Sequence, residues 1–190
     1  MSRFDDTPIT TPMSILHTDR LRLEPMRPEH LDGLHEMNRI PEVMRYITGK
    51  PETREQTLQM IERVMARWAE WGTSWWSLIE RDSGRIVGAG CIQYLARDTA
   101  NPLEIGWRLH PDCWGKGYAP EAAQVMADFA FAQLKAPLLC AVCHVDNGAS
   151  ARVMQRLGMR LKGQERWYDM DCHVYEITAD EWARSRPQDA

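Results

Sequence analysis

The segment Trp114–Ala122, WGKGYAPEA, sets two glycines and a lysine against the start of a helix. Gly115 and Gly117 permit left-handed backbone angles and carry no side chain to obstruct a ligand. The amides of Gly115, Lys116, Gly117, Tyr118 and Ala119 can then converge on one anion. A helix opening at Pro120 adds the positive end of its dipole there, and Lys116 adds a full charge. This is the chemistry of a pyrophosphate cradle. The competing reading is a glycine-rich turn with no ligand, and the segment alone does not separate the two.

A second block stands about thirty residues later: NGASARVMQRLGM, Asn147–Met159. Asn147 suits a helix N-cap, and Gly158 suits its stop. Ser150 lies in the first turn, one helical turn before Met154 on the same face. Its hydroxyl can give up a proton, which the thioether of Met154 cannot. The competing role for Ser150 is a first-turn serine bonded to its own backbone. Glu104, within LEIGWRL, is a strand carboxylate that can serve as a base or pair with an arginine.

These groups need a scaffold. RLRLE, Arg20–Glu24, alternates as a strand does. Pro28 and Glu29 open a helix through Leu31, Leu34 and His35. Thr53 with Gln56 forms a capping box for a helix ending near Gly72, with Leu58, Ile61, Met65 and Trp68 as its apolar stripe. Strands are predicted at 74–80, 85–94 and 103–109, the first two joined by Asp82-Ser83-Gly84. A helix over 120–134 follows the glycine loop. The continuous apolar run Leu138–Val145 reads as a buried parallel strand. The Asn147 helix and strands at 160–168 and 173–177 complete a β-α-α-β-β-β-α-β-α-β-β order. That order implies an α/β (α+β) domain with a mixed sheet.

The paired blocks resemble those of the GNAT superfamily of N-acetyltransferases over about residues 19–178. EIGWRLHPDCWGKGYAPEA, RLRLE and PEVMRYI (Pro41–Ile47) are closest to its Rim-type branch, which acetylates ribosomal-protein N-termini. The resemblance implies a GNAT fold: a mixed central sheet with one splayed strand pair and helices on both faces. It implies acetyl-CoA as co-substrate, its phosphates on Trp114–Ala119 and its pantetheine arm between strands 104–109 and 138–145. The arm would pair near Trp107 and Leu109 and touch Asn147, and a strand amide would polarise the thioester carbonyl. Two positions depart from the common pattern. Trp114 stands where many members have Gln or Arg, as often in the Rim-type branch. Met154 stands where many have an acidic Tyr, which moves the proton donor to Ser150, the proposed acid of that branch. Glu104 faces the thioester in the family layout and becomes the candidate base, with His110 and His144 as weaker alternatives. Trp75, Trp76, Trp167 and Tyr168 are candidates for the acceptor wall or for the core.

Composition bounds the remaining options. The chain has 190 residues, 44% of them hydrophobic, enough for one core. A formal charge of −4 gives no reason to expect nucleic-acid binding. No run approaches the ~18 apolar residues of a membrane span. Met1–Met13 has no apolar signal core, so a cytoplasmic setting with five free thiols is expected. Residues 1–18 read as an arm and 179–190 as a tail. Cys140-Ala141-Val142-Cys143-His144 spells a haem-attachment pattern, but residues 140 and 143 of a strand point to opposite faces, which also argues against a shared metal. GKGYAP fails as a dinucleotide fingerprint, because Pro120 fills the third small position and no acidic residue closes the next strand. The implied partners are an amine-bearing acceptor and, as an option, a second copy of the chain. The alternative function is a non-catalytic acyl-CoA-binding module of the same fold.

Overall fold

The computed structural model describes residues 14–186. Residues 1–13 of the proposed arm and the last four residues lie outside them. In chain order the elements are β1 (Leu16–His17), β2 (Leu21–Pro25), α1 (Leu31–Asn38), α2 (Pro41–Met44), α3 (Arg54–Trp71), β3 (Trp75–Glu80), β4 (Ile86–Tyr94), β5 (Leu103–Leu109), α4 (Tyr118–Ala132), β6 (Leu138–His144), α5 (Gly148–Arg156), β7 (Arg160–Trp167), β8 (Met170–Thr178) and α6 (Ala179–Ser185).

The strands form one eight-stranded sheet in the order β1-β2-β3-β4-β5-β6-β8-β7. Every neighbouring pair is antiparallel except β5 and β6, which α4 connects by a crossover. That parallel pair shapes the candidate site. It pairs only at Leu103 with Leu139 and at Glu104 with Cys140. Beyond those residues β5 stays bonded to β4 as far as Leu109, and β6 to β8 as far as His144. The two strands therefore diverge after Glu104, and a wedge opens in mid-sheet.

Helices cover both faces. On one face, His30 Nδ1 meets the Ser77 hydroxyl at 2.9 Å just before α1, and Asn38 of α1 accepts from Arg108 Nε at 3.2 Å. On the other, Met126 and Phe129 of α4 pack over Gly90 and Trp76. A β-carbon on Gly90 would lie 2.7 Å from the Met126 sulfur, so a larger residue there would displace the end of that side chain.

The α3 capping box and its left-handed stop at Gly72 form as the sequence implies. Its buried stripe differs by a fraction of a turn. Thr57, Ile61, Val64 and Trp68 face inward, whereas Met65 is 38% exposed. Thr57 belongs inside because its hydroxyl bonds the Glu52 carboxylate at 3.2 Å. The proposed tail also differs. Thr178 and Glu181 form a second capping box, and α6 seats Trp182 in the core with its indole donating to Asp128 at 2.9 Å. At the other end, residues 16–17 of the proposed arm are strand β1 and Thr18 bonds into α4, so the ordered unit begins before residue 19.

Candidate active site

The wedge between β5 and β6 holds a cavity of about 150 Å³. Glu104, Gly106 and Trp107 line it from β5, Cys143 and His144 from β6, and Asn147, Ser150 and Met154 from the α5 side. Tyr168 and Met170 close it from the β7–β8 hairpin, and Trp75 from β3. Two groups proposed from sequence as chemical partners, Glu104 and Ser150, thus share one cavity.

Glu104 is 7% exposed at the last paired position of the wedge. Burial pushes its carboxyl up to about 7, although the Tyr168 hydroxyl, Gln93 and the charge of Arg97 favour the ionised form. A carboxyl at that value is half ionised at neutral pH and suited to accept a proton. Its expected alternative partner, an arginine, is replaced by Tyr168, whose hydroxyl donates to Glu104 Oε2 at 2.5 Å.

Asn147 caps α5, its Oδ1 accepting the Ser150 amide at 3.3 Å. Among the described residues the Ser150 hydroxyl has no hydrogen-bond partner, so the self-satisfied first-turn role is absent. Met154 is 2% exposed beneath it. The histidines are less free. His110 and His144 each spend Nδ1 on a backbone amide, of Asp112 and Asp146 respectively. His144 does line the cavity, stacked on Tyr46 with ring centroids 5.1 Å apart; His110 does not. Of the four aromatic residues considered for the acceptor wall, Trp75 and Tyr168 line the cavity, Trp76 is fully buried in the core, and Trp167 lies outside it.

At the wide end of the wedge, past Leu109, the glycine loop leads into α4. Gly115 and Gly117 sit at φ 72° and 80°. A β-carbon on Gly115 would enter open space. The amides of Gly115, Lys116 and Gly117 have no backbone partner among the described residues, and those of Tyr118 and Ala119 are the orphan donors of a helix start. Free amides, an open face, a helix N-terminus and Lys116 together fit a pyrophosphate.

The loop is braced by groups that sequence reading missed. Arg20 donates to the Lys116 carbonyl at 2.9 Å, lies over the Tyr118 ring at 4.4 Å and pairs with Glu121. Thr18 also donates to Glu121 at 2.5 Å, and the Tyr118 hydroxyl bonds Glu80. The one available signal was Glu121 in the first turn of α4, a carboxylate that needs a cation. Trp114 is 51% exposed, and its indole donates to the Leu109 carbonyl at 3.0 Å. Leu109 therefore has its carbonyl engaged, whereas Trp107 and Gly106 face the wedge.

All five cysteines are buried and unpaired. Burial raises every thiol, that of Cys143 to about 11, so none supplies a nucleophilic thiolate at neutral pH. Cys140 turns its thiol to the Leu103 carbonyl. No helix among the described residues is long and apolar enough to cross a membrane.

Residues 20–160 match the model of the acetyltransferase (GNAT) domain, and the chain belongs to that family. It is 30% identical over 187 residues to the FsC-acetyl coenzyme A-N(2)-transacetylase of Aspergillus fumigatus, a match covering 89% of this chain and 78% of that one. The solved structure of a GNAT-family acetyltransferase from Bacillus anthracis is similar at a TM-score of 0.77 and 26% identity, over 88% of this chain and all of the other. RimL, a ribosomal L7/L12 alpha-N-protein acetyltransferase, shares the fold at a TM-score of 0.75 and 17% identity, over 87% of this chain and 94% of that one.

Proposed function

We propose that the protein moves an acetyl group from acetyl-CoA to a primary amine by direct attack in a ternary complex. The observation that carries this reading is the wedge itself. Its wide end is the free-amide loop, its narrow end is Glu104, and Ser150 lines the same cavity from the α5 side. Five strand steps, roughly 17 Å, separate Glu104 from Leu109, room for an extended pantetheine arm. The loop holds the phosphates; Asn147 and the free edge of β5 near Trp107 hold the arm.

The acceptor nitrogen attacks the thioester carbonyl carbon, whose developing oxyanion takes a β5 amide. The C–S bond breaks. Glu104, directly or through water, takes the amine proton, because a free N-terminus titrates near ~8 and lysine near ~10.4. Ser150 donates its proton to the leaving thiolate. Its hydroxyl is free, whereas that of Tyr168 already gives its proton to Glu104. The likeness to Rim-type enzymes favours a protein N-terminus as acceptor, and the compact cavity equally accommodates a small amine. The test is thiol release from acetyl-CoA across a panel of N-terminal peptides, lysine, polyamines and amino acids. Release that requires one amine class supports acetyl transfer. CoA binding without release from any amine would make the chain a binding module instead.

A further inference from the structure

One arginine at the mouth of the cavity, and two more on α3, form no ion pair among the described residues. Arg97 lines the cavity, with its guanidinium 5.4 Å from the centre of the Tyr168 ring. Arg67 and Arg63 lie on α3, one turn apart, and Arg67 sits 5.8 Å from the centre of Trp71. Trp71 in turn packs edge-on against Tyr94, which leads into the turn carrying Arg97. None of the three arginines forms an ion pair or a side-chain hydrogen bond among the described residues. The nearest carboxylate in sequence, Asp98, is spent on the Ala100 amide at 2.9 Å. Glu104, within the cavity, is hydrogen-bonded by Tyr168, and Arg97 acts on it through its charge without forming an ion pair.

Arg97 and Arg63 are exposed, and Arg67 is half-buried. Burial lowers the Arg67 pKa, and the charges of Arg97 and Arg63 lower it further, so the cations are close enough to repel. Like charges one turn apart on a helix are destabilising. Ala96 and Arg97 both occupy the left-handed region, at φ 56° and 60°, without being glycine. The Tyr168 hydroxyl secures that turn by accepting the Ala96 amide at 3.0 Å. An unpaired cation at a cavity mouth is free to bind an anionic group of an incoming ligand. The chain's net charge of −4 makes the local cluster a departure from its own average.

We infer that the acceptor amine carries an oxyanion, a carboxylate or phosphate a few bonds from the nitrogen, which Arg97 and Arg67 bind while the amine faces Glu104. The inference rests on the acetyl-transfer reading and narrows its acceptor class. The oxyanion belongs either to a small amino acid or amino phosphate, or to an acidic residue following a peptide N-terminus.

The test uses matched acceptors: an amino acid against its amide, an amino phosphate against the corresponding amino alcohol, and tripeptides with Asp or Asn in second place. Wild type should favour the anionic member of at least one pair by roughly 10- to 100-fold in kcat/KM, mostly through KM. That preference should fall towards unity in Arg97→Gln and in Arg67→Gln and partly return in Arg97→Lys. The pair that discriminates identifies the source of the oxyanion. Equal rates within every pair would overturn the inference and leave acetyl transfer standing. A second readout does not depend on turnover: calorimetric binding of inorganic sulfate to the CoA-saturated protein, with the phosphate loop already filled. Binding that is lost in the Arg67→Gln/Arg97→Gln double variant supports the inference, and binding that is absent or unchanged overturns it.

Discussion

The hydroxyl of Tyr168 donates to Glu104 Oε2 at 2.5 Å while accepting the Ala96 amide at 3.0 Å. One phenol thus ties the β7–β8 turn to the carboxylate at the narrow end of the wedge and to the strained turn carrying Arg97. Burial and the neighbouring carboxylate both raise the Tyr168 pKa, so the proton stays on the phenol and the hydrogen bond favours ionised Glu104. Replacing Tyr168 with Phe removes that donor. The acidic limb of the pH–rate profile should move up by roughly one to two units, the scale of one hydrogen bond to a charged group. Activity lost at pH 7 should return near pH 9. An unmoved limb would show that Tyr168 does not set the base.

Glu104 also makes stability depend on pH. An unfolded Glu titrates near ~4.3, whereas the folded value is about 7. The folded state therefore holds the proton more tightly. Its stabilising contribution is full below the unfolded value and is lost as pH rises through about 7. Glu104→Gln should remove this loss. The difference in unfolding free energy between the variant and wild type should grow by roughly 3 kcal/mol from pH 4 to pH 8. Denaturant melts at both pH values measure it, and parallel stability curves would contradict the burial argument.

The phosphate loop is tested by Gly117→Val. Gly117 sits at φ 80°, with Arg20 Nη2 3.4 Å from where a β-carbon would stand. The effect is one of backbone geometry: a β-branched residue leaves that region and re-aims the amides. CoA affinity by calorimetry should fall at least tenfold in a folded protein. Unchanged affinity would place the phosphates elsewhere.

Ser150→Ala tests the acid. General acid help is typically worth ~10²–10⁴ in rate, so kcat should fall within that range. The Kd for acetyl-CoA should barely change, because the phosphates are held at the far end of the wedge. A full kcat would mean that the thiolate leaves without a proton from α5.

Legibility in the sequence followed locality. The α3 capping box, the glycine loop and the Asn147 cap are local patterns, and the paired blocks carried the family resemblance. Glu104 and Ser150 lie far apart in sequence and share one cavity, a placement that the family layout implied and composition could not. What stayed hidden was long-range pairing. Arg20 under the loop, Tyr168 on Glu104 and the Arg108–Asn38 contact join residues at least sixty positions apart, and no periodicity records them. Met65 was misplaced because the α3 stripe is set by Thr57, a polar residue buried through its bond to Glu52. The helix α6 escaped notice because a single tryptophan, Trp182, anchors it.

The most direct test of the account is the pH dependence of acetyl transfer from pH 6 to 10 in wild type and Glu104→Gln, with the best amine found. The account predicts a wild-type rate that rises through about 7, the value burial gives Glu104, and a variant in which that limb is gone or displaced while acetyl-CoA still binds normally. A variant with the same limb as wild type would contradict it, because the proton would then leave the amine through a group other than Glu104.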